Sequence, residues 1–172
     1  MISSTFLSLD NTDSCINKGK AIPTIRLNGT SDIRYEKFKV KDGKTIFELH
    51  PNVQFYDYTK NYLRFDNILP KNYHLTFSRS ETNNDKAMEL LSKGHNVAMV
   101  FDKVPKTFMG YKVINGDKDD LRFKDKKNII VGLRYKKMTG KGANNSEGVN
   151  SGFVIQTETK SLPKKVKLKM AA

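Results

Sequence analysis

The sequence has no tryptophan and only one cysteine, Cys15, in 172 residues. A single cysteine excludes a disulfide within the chain and a metal site built from several cysteines. Long apolar runs are also missing, since none approaches the roughly 18 residues of a membrane-spanning helix. Residues 1–10 lack the basic and apolar regions of a signal peptide. These absences predict a protein that works in a reducing cytoplasm and has no membrane partner.

Acidic residues are scarce in the last part of the chain. Overall, 31 Lys and Arg stand against 18 Asp and Glu, which gives a formal net charge of +13. Residues 103–172 hold 17 of the basic residues and only 6 of the acidic ones. This asymmetry favours a polyanionic partner, with nucleic acid ahead of an anionic membrane surface. The alternative is a lysine-rich surface that only keeps the protein in solution.

Length and composition indicate one folded domain. Hydrophobic residues make up 37% of the chain and the mean hydropathy is −0.59, yet Phe and Tyr are plentiful. A chain of this length buries a sizeable core. We expect a loose lead-in over residues 1–20, a single α/β domain over 21–158 and a basic tail over 159–172.

Apolar runs and alternation predict the elements of this domain. Strands are expected near residues 21–27, 53–56, 73–77, 96–101, 111–114, 129–133 and 153–157. A helix is predicted over 86–93, with Gly94 as its stop, and one helical turn over 45–50. Strand, helix and strand joined by short turns are typical of a parallel sheet. The predicted fold class is therefore α/β, with a mostly parallel sheet of about six strands and few helices.

Polar side chains follow several of the predicted strands. Asn28 and Asp32 come after the first strand, and Asp57 comes after the second. The carboxyl ends of parallel strands meet at one edge of a sheet, and such folds bind their ligands there. We therefore predict that Asn28, Asp32 and Asp57 form a polar cluster in one shared site.

Basic residues interleaved with tyrosines predict contacts with a nucleic acid, because cations hold phosphates while aromatic rings stack on bases. Lys60 and Arg64 are interleaved in this way with four aromatic residues, Tyr56, Tyr58, Tyr62 and Phe65. Tyr135 is a further candidate for stacking. Tyr56 can alternatively belong to the core. The predicted nucleic-acid-binding residues are Tyr58, Lys60, Arg79, Lys124, Lys126, Lys127, Arg134, Lys136, Lys137, Lys164, Lys165 and Lys167.

An acidic cluster within residues 110–137 allows a second interpretation. The carboxylates that would hold Mg²⁺ for phosphodiester hydrolysis are Asp32, Asp57, Asp117, Asp119 and Asp120. Asp117, Asp120 and Arg122 are the candidate catalytic residues of such a site. The alternative is a solvated loop that joins two strands.

Recognised cofactor motifs are missing. The sequence contains neither a GxxxxGK[ST] nor a GxGxxG pattern, and His50, His74 and His95 do not have the spacing of metal ligands. The Gly-rich segment 139–152 is interpreted as a flexible or ligand-gripping loop. No metal and no cofactor is therefore predicted.

Four segments resemble a known family: residues 24–33 (TIRLNGTSDI), 53–60 (VQFYDYTK), 72–81 (NYHLTFSRSE) and 110–137. Together they resemble a family of phage- and plasmid-encoded proteins of undetermined activity, named after a mycobacteriophage gene product. The resemblance spans about residues 22–157 and implies the later half of a barrel-like α/β fold. Longer members carry an upstream cysteine-rich segment that suggests a metal or iron–sulfur site. With only Cys15 near the junction, the resemblance implies no such cofactor here.

The resemblance also implies a mobile genetic element, and hence the cytoplasm of a bacterial host. With the basic charge, it predicts a non-catalytic protein that binds nucleic acid (RNA or a single strand) or a ribonucleoprotein. One form of this hypothesis is an anti-CRISPR-like inhibitor of a host RNA-guided defence nuclease. The alternatives are a metal-dependent phosphodiesterase or nuclease and a pure protein-interaction module. Open sheet edges would in addition favour a homo-oligomer.

Overall fold

Short apolar segments separated by polar turns form eight strands and three helices in the computed structural model, which describes residues 22–137 and 146–157. The strands are β1 (Thr24–Arg26), β2 (Gln54–Thr59), β3 (Tyr73–Ser78), β4 (Val97–Phe101), β5 (Thr107–Phe108), β6 (Tyr111–Asn115), β7 (Ile130–Arg134) and β8 (Val154–Ile155). The helices are α1 (Ile46–Leu49), α2 (Asn84–Ser92) and α3 (Ser146–Asn150), and 3-10 turns cover Tyr35–Lys37, Tyr62–Asp66 and Arg122–Lys124. The predicted lead-in over 1–20 and the basic tail over 159–172 lie outside the described residues.

The eight strands belong to one sheet with the order β1-β2-β3-β4-β7-β6-β5, in which β8 also pairs with β4. Every pairing is parallel except the one between β5 and β6. β3 pairs with β4 only at Phe77 and Ser78, whereas β8 pairs with the other end of β4, at Val100 and Phe101. β8 therefore continues the sheet beside β4 where β3 has diverged.

The prediction of an α/β fold with a mostly parallel sheet is confirmed. The sheet has eight strands rather than about six, since two-residue strands such as β5 leave almost no periodicity in the sequence. The described strands follow an open order from β1 to β5, and the resemblance to part of a barrel is not confirmed. Segment 139–152 contains helix α3, which is too short to show helical periodicity; residues 138–145 lie outside the described residues.

The apolar core lies on one face of the sheet. Leu90 and Leu91 of α2 pack there against Phe77 of β3, in a cluster that continues along β4 and β7. Phe47 of α1 forms a second cluster, in which its ring stacks on Tyr73 with the ring centroids 4.4 Å apart. Each such buried side chain contributes about 1.5–3 kcal/mol of transfer free energy. Both predicted helical segments are therefore held in place by packing on the sheet.

The opposite face of the sheet carries the connection between β6 and β7, residues 116–129. Its 3-10 turn at Arg122–Lys124 contacts β3. Gly116 approaches β7 so closely that a Cβ atom there would lie 2.5 Å from Val131 Cγ1 and 2.9 Å from Leu133 Cδ2. The connection brings Asp120 into contact with β1 and β2, although they are far apart in sequence. No helix in the described ranges is long and apolar enough to cross a membrane.

Candidate functional site

The loop after β1 is fixed to β2 by a buried carboxylate. Asp57 is fully buried and accepts hydrogen bonds from the backbone N–H of Asn28 at 2.7 Å and from Asn28 Nδ2 at 3.1 Å. Asn28 Oδ1 in turn accepts from Ser31 Oγ at 2.8 Å and from the N–H of Ile33 at 2.9 Å. The structure therefore brings Asn28 and Asp57 together, and their contacts hold the loop in one shape.

Arg64, in the turn after β2, is a fully buried cation. Its Nε and Nη2 donate to the two carboxylate oxygens of Glu36 at 3.1 and 2.8 Å, and its Nη1 donates to Asp32 Oδ1 at 2.9 Å. Nη2 also donates to the Tyr73 hydroxyl, which donates to Asp57 Oδ2 at 2.7 Å. One hydrogen-bonded network therefore connects Asp32 with Asp57 beneath the carboxyl edge of the sheet.

The interpretation of Arg64 as a cation available to phosphate is wrong, because its side chain has no exposed surface. A buried guanidinium between two carboxylates has a structural role, since removing one partner would leave a buried charge uncompensated. Its partners Asp32 and Glu36 lie 32 and 28 positions earlier in the chain. No local pattern in the sequence reports pairing over that distance.

The Asp57–Tyr73 contact is a fixed structural link. Burial raises the pKa of Asp57, while the hydrogen bonds from Tyr73 and Asn28 oppose that shift. Burial also raises the pKa of the Tyr73 hydroxyl, and the neighbouring Asp57 carboxylate adds to the effect. Tyr73 is the donor of this hydrogen bond and the Asp57 carboxylate its acceptor, and because both are buried the pair positions the surrounding loops.

A cleft of about 320 Å³ opens at the carboxyl ends of β1, β2 and β3, next to this network. We call it the strand-end cleft, and its lining residues are Arg26, Asn28, Gly29, Thr30, Ser31, Asp32, Tyr58, Thr59, Lys60 and Ser78. Asp32 Oδ2 accepts from Thr59 Oγ1 at 2.9 Å and from the N–H of Lys60 at 2.8 Å. Both oxygens of this carboxylate are therefore bonded to protein donors, while the Lys60 side chain is exposed.

Asp120 collects three donors beside the strand-end cleft. Tyr58 Oη donates to Asp120 Oδ1 at 2.8 Å, and Tyr56 Oη and Arg26 Nη1 donate to Oδ2 at 3.3 and 3.2 Å. The Arg26 guanidinium also lies over the Tyr58 ring, 4.8 Å from its centroid, and the Tyr56 ring lies 6.0 Å from that of Phe123. Both tyrosine rings therefore already contact protein groups, which leaves Tyr58 poorly placed to stack on a base.

The side chains of the candidate catalytic residues Asp117, Asp120 and Arg122 bond to different partners. Arg122 is buried, and its Nη2 donates to the backbone oxygen and to Oδ1 of Asp119 at 2.6 and 3.0 Å. Asp117 Oδ2 accepts from the N–H of Arg134 at 2.9 Å. Over residues 22–137 and 146–157, no group of three or more His, Cys, Asp or Glu side chains is arranged to hold a metal ion. Each of these carboxylates is bonded to different protein donors, and a catalytic role for Asp117, Asp120 and Arg122 stays a prediction.

A second cleft, of about 870 Å³, lies at the carboxyl ends of β4, β7 and β8. We call it the basic cleft, and its lining residues are Asp102, Arg134, Tyr135, Lys136, Lys137, Ser146, Val149, Asn150, Val154 and Gln156. Arg134, Lys136 and Lys137 are exposed. Asp102 Oδ1 accepts from the N–H and the hydroxyl of Thr157 at 2.9 and 2.8 Å. Among the described lining residues, three exposed cations therefore share this cleft with one carboxylate, which is already hydrogen-bonded.

Arg79 connects the two clefts. It follows Ser78, which lines the strand-end cleft, and its Nη1 donates to the backbone oxygens of Gly152 and Phe153 at 2.7 and 2.8 Å. Burial lowers the pKa of its guanidinium, and nearby Glu81 opposes this shift. Arg79 therefore anchors the turn between α3 and β8, and residues of both these elements line the basic cleft.

The other predicted nucleic-acid-binding residues lie elsewhere. Lys124 is exposed at the end of the 3-10 turn that contacts β3. Lys126 and Lys127 are exposed just before β7, where Lys126 O accepts from Asn96 Nδ2 at 2.9 Å. The five residues of β7 separate them from the basic cleft by roughly 16 Å of strand. The tail residues Lys164, Lys165 and Lys167 lie outside the described residues. The described members of the predicted set are therefore spread over both ends of the strands and one face of the sheet.

Comparison with known proteins identifies the family. The family model described as Gene product 88 matches residues 6–156, which include all lining residues of both clefts. No match is found among curated proteins or among solved structures. The resemblance to a family of phage gene products, carried by segments such as 24–33 and 110–137, is confirmed by this match. The chain belongs to the Gene product 88 family, a family of phage gene products.

Proposed function

We propose that this protein binds single-stranded nucleic acid, without catalysis, through the basic cleft. The observation that carries the proposal is the cleft itself: a cavity of about 870 Å³ with exposed Arg134, Lys136 and Lys137 on its lining. Cations in such a groove neutralise backbone phosphates and release their counterions. The net charge of +13 adds a long-range attraction for the same kind of ligand.

The concave shape of the basic cleft favours a single strand over a duplex. Proteins that read a duplex insert a helix or a β-ribbon into its major groove, which is about 12 Å wide. The basic cleft is instead a concave space between α3 and the ends of β4, β7 and β8, into which an unpaired strand fits. Asn150 and Gln156 add amide side chains that can donate to, and accept from, an unpaired base.

The proposal is tested by titrating labelled single strands of about 12 nucleotides, within the usual site size of single-strand binders. Fluorescence anisotropy of an RNA and a DNA version, measured at several salt concentrations, gives the affinity and its salt dependence. Replacing Arg134, Lys136 and Lys137 by Gln should weaken binding roughly tenfold or more and reduce the slope of log affinity against log salt by about 2.

A matched control is available at the other end of the protein. Lys37, Lys41 and Lys44 are exposed lysines outside both clefts, and replacing them by Gln removes the same total charge. If both triple variants lose the same affinity, binding depends on net charge alone and the proposal is contradicted. A wild-type protein that binds no strand, but captures one host protein at any salt concentration, would support the protein-interaction module.

The bound strand can come from one specific source in the cell. In a bacterial host, the bound strand would be the RNA of a ribonucleoprotein, such as an RNA-guided defence nuclease. Protein purified from bacterial cells should then carry RNA of one discrete length, seen as a raised 260/280 nm absorbance ratio that a high-salt wash abolishes. RNA of random lengths would support a general single-strand binder instead.

A further inference from the structure

We propose that the strand-end cleft is a phosphate-binding site, and that it receives the terminal phosphate monoester of a strand held in the basic cleft. The second half of this inference rests on the proposed function. The first half does not, because a phosphate monoester also occurs on free nucleotides. The inference is carried by the hydrogen-bonding groups that the cleft leaves open.

Carboxylate acceptors of the strand-end cleft are already used by the protein. Asp32 accepts from Arg64 Nη1 on one oxygen and from Thr59 Oγ1 and the N–H of Lys60 on the other. The Arg64 guanidinium lies 2.9 Å from Asp32 and 2.8 Å from Glu36, and Arg34 Nε lies 3.6 Å from Glu36, so two cations offset these two carboxylates. The Asp32 carboxylate therefore repels an incoming anion less than its formal charge suggests.

Donor groups of the same cleft remain open. Lys60 is exposed and, within the described ranges, its Nζ has no hydrogen-bond partner. Arg26 Nε donates a hydrogen bond to Asn28 O at 3.2 Å, and its Nη1 donates to Asp120. Its Nη2 has no hydrogen-bond partner among the described residues. A Cβ atom on Gly29 would meet nothing within 4 Å, so the chain at Gly29 borders open space. Open donors with saturated acceptors suit a ligand that is rich in acceptors, and a phosphate monoester is such a ligand.

The loop that borders the cleft is held in place before any ligand binds. Asn28 Oδ1 accepts from Ser31 Oγ and from the N–H of Ile33, so the amide side chain closes the loop from inside. The buried Asp57 fixes Asn28 from below. A bordering loop that is already ordered loses less conformational entropy when an anion binds beside it.

The two clefts share the carboxyl edge of the sheet. Ser78 lines the strand-end cleft, while the next residue, Arg79, donates to Gly152 O and Phe153 O immediately before Val154 of the basic cleft. One extended strand can therefore follow the edge, with its body in the basic cleft and its end in the strand-end cleft. This arrangement predicts that the protein distinguishes phosphorylated from unphosphorylated strand ends.

The test uses the full chain and oligonucleotides of one sequence that carry a 5′-phosphate, a 3′-phosphate or no terminal phosphate. We expect one of the two phosphorylated strands to bind at least about tenfold more tightly than the unphosphorylated strand, since the added group makes several charge-assisted hydrogen bonds. The double variant R26Q/K60Q should reduce this ratio to about one. K60Q alone, at an exposed position, should reduce it in part and keeps the test decisive if R26Q does not fold.

The triple Gln variant of the basic cleft separates this inference from the proposed function. It should weaken all three oligonucleotides while the ratio between them persists. Equal binding of the three oligonucleotides by the wild-type protein would overturn the inference and leave the proposed function standing. If no oligonucleotide binds, but adenosine monophosphate or inorganic phosphate binds in calorimetry and K60Q abolishes this, the cleft is a phosphate site for free ligands and the strand-end role is overturned.

Discussion

Arg64 and Glu36 form a two-point ion pair inside the protein, with Nε and Nη2 of the guanidinium donating to separate carboxylate oxygens at 3.1 and 2.8 Å. Such parallel contacts fix the relative orientation of both side chains as well as their distance. Because Arg64 also reaches Asp32 and Tyr73, the pair joins the turn after β2 to the loop after β1 and to β3. The strand-end cleft therefore depends on a cation that no ligand can touch.

Replacing Arg64 by Met should destabilise the protein strongly. The variant removes the charge that compensates Glu36 and Asp32 and leaves the Tyr73 hydroxyl without one of its partners. Removal of one member of a buried ion pair costs about 3 kcal/mol or more. Urea denaturation measures this loss of unfolding free energy.

The control for this variant is Arg134→Met, which removes an exposed arginine. Its unfolding free energy should change by less than about 0.5 kcal/mol, as for most surface substitutions. Similar losses for the two variants would mean that the Arg64 network contributes no specific stability.

The parallel sheet and its polar carboxyl edge could be predicted from the sequence, because strands such as β2 and β3 are long enough to alternate and polar residues follow them directly. The partners of Arg64 could not be predicted, since Glu36 lies in a single 3-10 turn 28 residues away. The same limit applies to Asp120, which reaches Tyr58 across 62 positions. Pairing over such distances is decided by the packing of the whole chain.

The predicted basic surface shows what strand direction adds. Lys127 and Arg134 are close in sequence, so the charge distribution along the sequence predicts that both belong to one basic patch. β7 runs between them, so that one lies before the strand and the other at its carboxyl end. An extended strand rises about 3.3 Å per residue, which is enough to put neighbouring charge clusters on opposite edges of a sheet.

Replacing Tyr73 by Phe should make stability depend more strongly on pH. The hydrogen bond from Tyr73 lowers the pKa of Asp57, against burial, which raises it. Without this bond, the pKa of folded Asp57 rises further above its ordinary value of 3.8. A raised pKa in the folded state gives stability that is present below the unfolded pKa and is lost as the pH rises through the folded pKa.

The penalty of Y73F should therefore be smaller near about pH 4 and grow to about 2 kcal/mol at neutral pH, as measured by urea denaturation at a series of pH values. Tyr56→Phe is the matched control, because its hydroxyl contacts the partly exposed Asp120 at 3.3 Å. A Y73F penalty that stays constant over this pH range would contradict the assignment of a buried, ionised Asp57.

Replacing Gly116 by Ala should destabilise the connection between β6 and β7. The new methyl group would lie 2.5 Å from Val131 Cγ1 and 2.9 Å from Leu133 Cδ2, closer than carbon atoms can approach. Overpacking of this kind costs about 1–3 kcal/mol. Gly29→Ala is the control, since its added methyl group would meet nothing within 4 Å. Thermal denaturation of the two variants compares them, and equal midpoints would show that the connection moves freely away from β7.

Replacing Arg79 by Met should loosen β8 while leaving β4 in place. Arg79 donates hydrogen bonds to Gly152 O and Phe153 O. The strand that follows, β8, has only two residues, Val154 and Ile155. Once these contacts are lost, β8 keeps its pairing with β4 and the bonds between Asp102 and Thr157. A short element held by so few bonds opens locally without global unfolding.

Hydrogen exchange followed by NMR measures this opening directly. The N–H of Thr157, which bonds to Asp102 Oδ1 at 2.9 Å, should exchange at least about tenfold faster in R79M, whereas the N–H of Met99 in β4 should keep its protection. Arg79→Lys should give an intermediate rate, because its ammonium can reach a carbonyl but lacks the planar fork of a guanidinium. If Thr157 and Met99 accelerate together, Arg79 stabilises the whole sheet; if neither changes, the turn before β8 is held by other contacts, and the wall of the basic cleft does not depend on Arg79.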